Sequence, residues 1–282
     1  MAIKIVTDST SYIPKEYIDK YDISVVSLNV VMNNVSRREL DIDNKFFYDE
    51  MNSTSEIPKS SQPIPEEMIN TFTKLVSEEH TVVGIFLSSH MSGTYSSANM
   101  IKNMVLEDYP NANIHIIDSK TNCMQMGFAA IESARAANEG KSIEEIINIC
   151  NNVLDNSRFI FSPDTLEYLK KGGRIGSASA LVGTILQIKP ILTVVNGETS
   201  VFTKVRTRKK AIDTMVNTCI DEIKDKGLGD VIVHHINCEE EGMKLAKRLE
   251  DELNTKVQIQ SIGPVIGLHV GPGSIGIAYY TK

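Results

Sequence analysis

The sequence predicts an α/β protein of two domains. The first is an N-terminal three-layer α/β domain with a parallel sheet over residues 1–160, and the second a C-terminal α+β domain with a mixed sheet over residues 161–282. Three observations lead there. Short β-branched runs alternate with helical patterns of about 10–15 residues through the first half, as in a parallel sheet covered by helices. Three of those runs end in Ser or Asp, at Thr7–Asp8–Ser9, Ser88–Ser89 and Asp118–Ser119. Open α/β sheets keep their ligand crevice at such carboxyl ends. Beyond Arg158 the texture changes, and Asn196–Gly197 between two apolar runs is a hairpin signal.

Taken in order, Ala2–Asp8 reads as a strand, and the pattern from Pro14 through Tyr21 as a helix. Ile23–Met32 is one long β-branched run, followed by a polar loop holding Asp41 and Asp43. The Ser/Pro-rich stretch Asn52–Pro65 reads as a connection, Glu66–Glu79 as a helix and Thr81–Leu87 as a strand buried on both faces. A helix over Tyr95–Tyr109, a strand over Asn113–Asp118 and helices over Met124–Asn138 and Ser142–Ser157 complete the first half. The second half reads as Phe159–Phe161 extended, a short helix in Asp164–Lys171, a break at Gly172–Gly173 and a helix over Arg174–Leu186. Strands Ile191–Val195 and Thr199–Val205 flank the hairpin turn. Helix Arg208–Lys226, strand Asp230–Ile236, helix Glu239–Leu253 and strands Val257–Ile262 and Gly276–Thr281 finish the chain.

Composition excludes several classes. At 282 residues, each domain can bury a core without metals or disulfides. Lys and Arg total 29 against 36 Asp and Glu, a net charge of −7, so no global field gathers nucleic acid or anionic membrane. No apolar run approaches the roughly 20 residues of a membrane span, and the first residues lack the basic and apolar regions of a signal peptide. A cytoplasmic protein without stable membrane insertion is expected. The 4 cysteines, Cys123, Cys150, Cys219 and Cys238, show no metal-ligand spacing and read as buried reduced thiols. His234–His235 on a strand point to opposite faces and cannot share an ion, so no metal or other cofactor is expected.

Four segments could carry chemistry. In Ser88–Ser97 (SSHMSGTYSS) 6 of 10 residues are Ser or Thr, after a buried strand and before a helix. Such hydroxyls either cap the helix or, with its N–H groups, hold a carboxylate or phosphate. Lys59–Pro63 (KSSQP) displays hydroxyls on extended backbone, because Pro63 restricts Gln62. Leu169–Gly176 (LKKGGRIG) and Lys204–Lys210 (KVRTRKK) are cationic, either as solvated turns or as places to meet an anion or acidic partner. The loop Gly263–Gly276 surrounds His269, whose imidazole is a structural donor or a ligand contact able to gain a proton beside an anion.

These segments, with TDSTS at 7–11, IIDS at 116–119 and KPIL at 189–192, stand in the order of the DegV family, and the chain resembles that family over essentially its whole length, as a single unit spanning 3–281. The resemblance implies a two-domain, non-catalytic fatty-acid-binding protein; a monomer is expected. It would hold one long-chain fatty acid such as palmitate in an apolar tunnel, with the carboxylate at the domain junction. It would present that acid to a separate fatty-acid kinase, which makes the acyl phosphate for phospholipid synthesis in bacteria. Position by position, Ser92 of the SGT triplet matches the hydroxyl that bonds the carboxylate, with Gly93 and Thr94 supporting it. Ser60 matches a residue commonly Thr in the family, so a methyl is missing and the hydroxyl kept; Ser61 is its neighbour. His269 matches the histidine near the head group, and Arg174 and Arg206 look like the arginines at the mouth.

Two rival readings are kept. One is an acyl-ester hydrolase or thioesterase with Ser92 as nucleophile and His269 as base, although no G-x-S-x-G elbow is present. The other is a binding module for a phosphorylated or nucleotide ligand at LKKGGRIG and the Ser-rich strand ends, although the spacing of LKKGGRIG fits neither common phosphate-loop pattern.

Overall fold

The computed structural model describes residues 2–53, 57–183 and 188–282. Along the first half run β1 (Ile3–Asp8), α1 (Lys15–Tyr21), β2 (Ser24–Val26), β3 (Asn29–Met32), β4 (Val35–Arg38), α2 (Asn44–Ser53), β5 (Lys59–Ser61) and α3 (Pro65–Ser77). Then come β6 (Thr81–Phe86), α4 (Thr94–Asp108), β7 (Ile114–Asp118), α5 (Cys123–Asn138) and α6 (Ile143–Asp155). The second half holds β8 (Ser157–Ser162), α7 (Glu167–Lys171), β9 (Lys189–Val195), β10 (Glu198–Val205) and α8 (Arg208–Lys226). It closes with β11 (Leu228–His235), α9 (Glu239–Leu253), β12 (Gln258–Ser261), α10 (Pro264–Val270) and β13 (Ile275–Thr281).

The α/β class and its two-part organisation stand as read. A parallel sheet of order β2–β1–β6–β7 and a mixed sheet of order β10–β9–β8–β13–β11–β12 face each other across one continuous core. Helix α5, rich in Ala and Met and buried along most of its length, packs between them on β1, β6, β8 and β13. The outer face of the first sheet carries α3 and α4, and that of the second α8 and α9, each over its own core. All of β6 is buried, as its unbroken apolar run requires. The turn Asn196–Gly197 has φ of 51° and 86°, so both residues are left-handed and the β9–β10 hairpin keeps its strand twist. Residue 160 falls inside β8, whose whole length pairs with β13 and β9; we propose that the domains divide ahead of Ser157.

Several expectations are corrected. Ile23–Met32 is two strands in different sheets, because Ser27 bonds its own neighbour's carbonyl (Oγ to Leu28 O, 2.8 Å) and Leu28 N–H leaves the ladder for Ser9 Oγ at 3.0 Å. The connection 52–65 contains β5, which with β3 and β4 forms a third, antiparallel sheet. The expected helix Arg174–Leu186 is a short tight turn of helix over Gly176–Leu181, and its last residues lie outside the described ones. The loop 263–276 contains α10, started by Pro264. Cys123, Cys150 and Cys219 are buried thiols, whereas Cys238 is half-buried with Sγ 3.3 Å from Ser274 O.

One buried carboxylate fixes α10 to the first half. Glu39 is 4% exposed; it accepts from Tyr12 O–H at 2.8 Å, from Val265 N–H at 2.8 Å and from Ser9 Oγ–H. Tyr12 in turn accepts Ile266 N–H at 3.1 Å, and Tyr48 O–H donates to the carbonyls of Ile262 and Gly263 at 2.8 and 3.0 Å. The first N–H groups of α10, orphaned by helix geometry, are thus satisfied from the opposite half of the molecule. Burial pushes Glu39 up to about 7, against the pull of those donors, and Asp8, held by Thr10 and Leu87, up to about 6.

Both acids hold a proton in the folded chain that the unfolded chain has released, so stability declines as pH rises from the unfolded to the folded value. Glu39→Gln is expected to remove the part of this decline lying between pH 4.5 and about 7, worth up to about 3 kcal/mol, and to leave Asp8's share. Denaturant titrations at pH 5 and pH 8 check this; an unchanged difference between the two pH values counts against it.

Candidate functional site

A cavity of about 320 Å³ lies between the two sheets, at the carboxyl end of β6 and beneath the small antiparallel sheet. Its wall is mostly apolar, with Leu28, Leu87, Phe159, Phe161, Ile236, Ile262, Val265 and Ile266. Polar groups gather from four elements: Ser60 and Ser61 of β5, Ser92 and Gly93 ahead of α4, His269 in the last turn of α10, and Arg174 after α7.

Antiparallel pairing of β5 with β3 sets Ser60 opposite Val30, and from there its Oγ lies 2.9 Å from His269 Nε2. Ser61, the next residue on the strand, is exposed at the rim. Gly172 ends α7 against the other edge of the imidazole; a Cβ there would meet His269 Nδ1, so the close approach requires glycine. Among the described residues, buried Nδ1 has no partner. Burial, and secondarily the Arg174 guanidinium, hold His269 down at about 4, so the ring is neutral near pH 7. Arg174 itself is exposed and anchored by Met91 O (3.1 Å) and Gly172 O (2.8 Å).

The hydroxyl-rich segment divides its work. Ser88 donates to Gly197 O at 2.7 Å, Ser89 donates to Asp118 at 2.6 Å, and Ser97 bonds Gln62. Those hydroxyls tie loops together, including the β9–β10 turn to the first half. Ser92 is bonded only locally, to buried Thr94 (Oγ to Oγ1, 2.9 Å), and borders the cavity. The segment after β6 reaches this wall through Leu87, Met91 and Ser92, while its polar end Ser88–Ser89 is not part of it. Asp8 closes on Thr10 and Leu87, and Asp118 on Ser89 and Lys120.

The structure therefore brings Ser60, Ser61, Ser92, Gly93, His269 and Arg174 together, with Thr94 behind Ser92. It does not bring Arg206. Thr199 at the start of β10 lines the cavity, and Arg206 follows the strand's far end, roughly 20 Å away at about 3.3 Å per residue. There it lines a second cavity with Lys170, Lys171 and Lys189. Arg208 of the same basic run is structural: it grips Glu241 through Nε and Nη2 (3.0 and 2.7 Å) and donates to Ser162 O and Gly273 O. The hydrolase pairing is not formed either, since His269 bonds Ser60 rather than Ser92, and among the described residues no carboxylate orients its Nδ1. His234 and His235 separate as their strand demands: His234 borders the cavity with both nitrogens bonded, to Gln260 O and Met124 N–H, while His235 packs against Gly242 under α9.

The sequence reading did not single out Asn122 on this wall or Glu39 behind it, and neither stands in one of the motifs that drew it.

Residues 2–282 match the family model described as "Uncharacterised protein, DegV family". The chain belongs to the DegV family. A DegV domain-containing protein of Clostridium acetobutylicum is 51% identical over 282 residues, 100% of this chain and 99% of that one. Among solved structures, DegV of Bacillus subtilis, described as a fatty acid binding protein, superposes with a TM-score of 0.91 at 36% identity, covering 100% of both chains. A stearic acid-binding protein of Eubacterium ventriosum does so at 0.91 and 31%, covering 99% of this chain and 98% of that one. Among the described residues of this DegV-family chain, no helix is long and apolar enough to cross a membrane.

Because Arg174 adds to the burial that suppresses His269, Arg174→Gln is expected to raise the imidazole pKa from about 4 while leaving it below the ordinary 6.5. Histidine C–H chemical shifts followed against pH test the direction; an unmoved or lowered midpoint contradicts it.

Proposed function

We propose that this chain binds one long-chain fatty acid in the cavity between its sheets, with the carboxylate among Ser60, Ser61, Ser92 and His269, supported by Gly93 and Thr94. The observation that carries the reading is the Ser60–His269 pair at 2.9 Å, standing with Ser92 at the border of a cavity whose wall is mostly Leu, Ile, Val and Phe. That segregation suits a molecule with one ionic end. A carboxylate taken out of water needs donors, since its isolated burial costs many kcal/mol. His269 Nε2–H donating to Ser60 Oγ leaves the Ser60 hydroxyl proton for the ligand, and Ser92 adds a second hydroxyl. A carboxylate beside the imidazole also favours its protonated form, strengthening the pair once the site is filled.

The tail contributes about 0.8 kcal/mol per buried CH₂, so some fifteen methylenes supply on the order of 10 kcal/mol before ordering costs. The head group orients and the tail provides most of the affinity. The fatty-acid descriptions of the Bacillus and Eubacterium neighbours support the same ligand class.

In this reading the protein is a non-catalytic carrier, needs no cofactor, works as a cytoplasmic monomer and hands its acid to a fatty-acid kinase for acyl-phosphate formation and phospholipid synthesis. Arg174 stands at the cavity mouth toward that partner. Arg206, on the separate Lys-rich cavity, belongs to the surface the kinase or its phosphate would meet.

Protein purified from a bacterial host is expected to carry a long-chain fatty acid in equimolar amount, seen by mass spectrometry after organic extraction. Repeated recovery without lipid, together with no binding of added fatty acid, overturns the reading. Ser60→Ala combined with Ser92→Ala should weaken binding by about 1–3 kcal/mol, because the tail contacts remain. Titration with a fluorescent fatty acid measures this, and an unchanged Kd removes both residues from the site.

A further inference from the structure

Asn122 occupies the cap position ahead of α5 without capping it. An asparagine there ordinarily accepts from the second or third N–H of its helix. Here the second, Met124 N–H, goes instead to His234 Nε2 at 3.2 Å, a bond from the opposite sheet. The Asn122 side chain is released by that exchange and lines the cavity. The residue is only 7% exposed; among the described residues its Nδ2–H has one weak acceptor, Met91 Sδ at 3.1 Å, and its Oδ1 has no partner. Leu87, Phe159 and Ile236 are part of the same wall. An amide with a free buried oxygen in such surroundings is costly unless something bonds it.

A plain acyl chain offers nothing to that amide, and a carboxylate offers only acceptors, which Oδ1 cannot use. A hydroxyl both donates and accepts, so it pairs with either edge of the amide. Building on the fatty-acid reading above, we propose that Asn122 is a specificity residue that admits acyl chains bearing a hydroxyl, so that hydroxylated long-chain fatty acids are within the ligand range of this protein. Asn122 touches Met91, the residue before Ser92, which places the favoured hydroxyl in the carboxyl-proximal half of the chain.

The test compares delipidated wild-type protein and Asn122→Leu, of similar volume, in calorimetric titrations with stearate and with hydroxystearates whose hydroxyl is moved stepwise along the chain. Expected is at least one carboxyl-proximal isomer that wild type binds as tightly as stearate or within about threefold. Asn122→Leu should lose at least tenfold for that isomer relative to its own affinity for stearate. If every isomer is weaker than stearate by the same factor in both proteins, the role of Asn122 is overturned while fatty-acid binding stands. If wild type binds neither stearate nor any isomer, the fatty-acid reading itself fails and this inference with it. Should the leucine variant not fold, the wild-type series decides alone: no isomer within about threefold of stearate overturns the proposal.

Discussion

The geometry of the cavity depends on one buried carboxylate. Glu39, from a polar loop that its sequence neighbourhood does not distinguish, accepts hydrogen bonds from Ser9 and Tyr12 of the first half and from the backbone of α10 in the second. Removing a carboxylate from water is tolerable only where donors replace the water, and three do so here. The replacement is also structural, because α10 carries Val265, Ile266 and His269 to the cavity wall. A helix of 7 residues is too short to hold its place by its own hydrogen bonds, so its position comes from these tertiary contacts.

The same economy of hydrogen bonds explains which of many hydroxyls face the ligand. Ser88, Ser89 and Ser97 are engaged with Gly197, Asp118 and Gln62, which close the hairpin turn, the end of β7 and the rim of the small sheet. Ser92 retains only its neighbour Thr94, and Ser60 retains His269. Hydroxyls that stitch loops together and hydroxyls left for a ligand look alike in a run such as SSHMSGTYSS. Partners 29 to 109 positions away in the chain make the difference. His234 illustrates the reverse case: its two nitrogens are consumed, by Gln260 and by the first turn of α5, and in consequence the neighbouring Asn122 is not.

The outline of the fold was legible because its signals are local. The unbroken apolar run of β6, the Asn-Gly turn and the amphipathic patterns of α8 and α9 declare themselves within a few residues, and the ends of α8 and α9 fell where periodicity placed them. Elements defined by partners were missed. Strand β5 is three residues of Lys and Ser that are extended because β3 lies beside them. Helix α10 sits in a glycine-rich stretch that has no helical pattern, and is held by Glu39 and Tyr12. The run Ile23–Met32 divides because Ser27 and Ser9 compete for the backbone there.

The sequence by itself determined the α/β class, the polar strand ends, the family and the short set of hydroxyl, imidazole and guanidinium groups from which a head-group site could be drawn. These follow from residue type and spacing, which act over one or two turns of chain. Only the tertiary structure decided that Ser60 rather than Ser92 meets His269, that Arg206 stands on a different cavity from Arg174, and that the Asn122 amide oxygen is buried without a partner among the described residues. A hydrogen bond has only two ends, and where the second lies 209 residues from the first, as for Ser60 and His269, folding alone selects it.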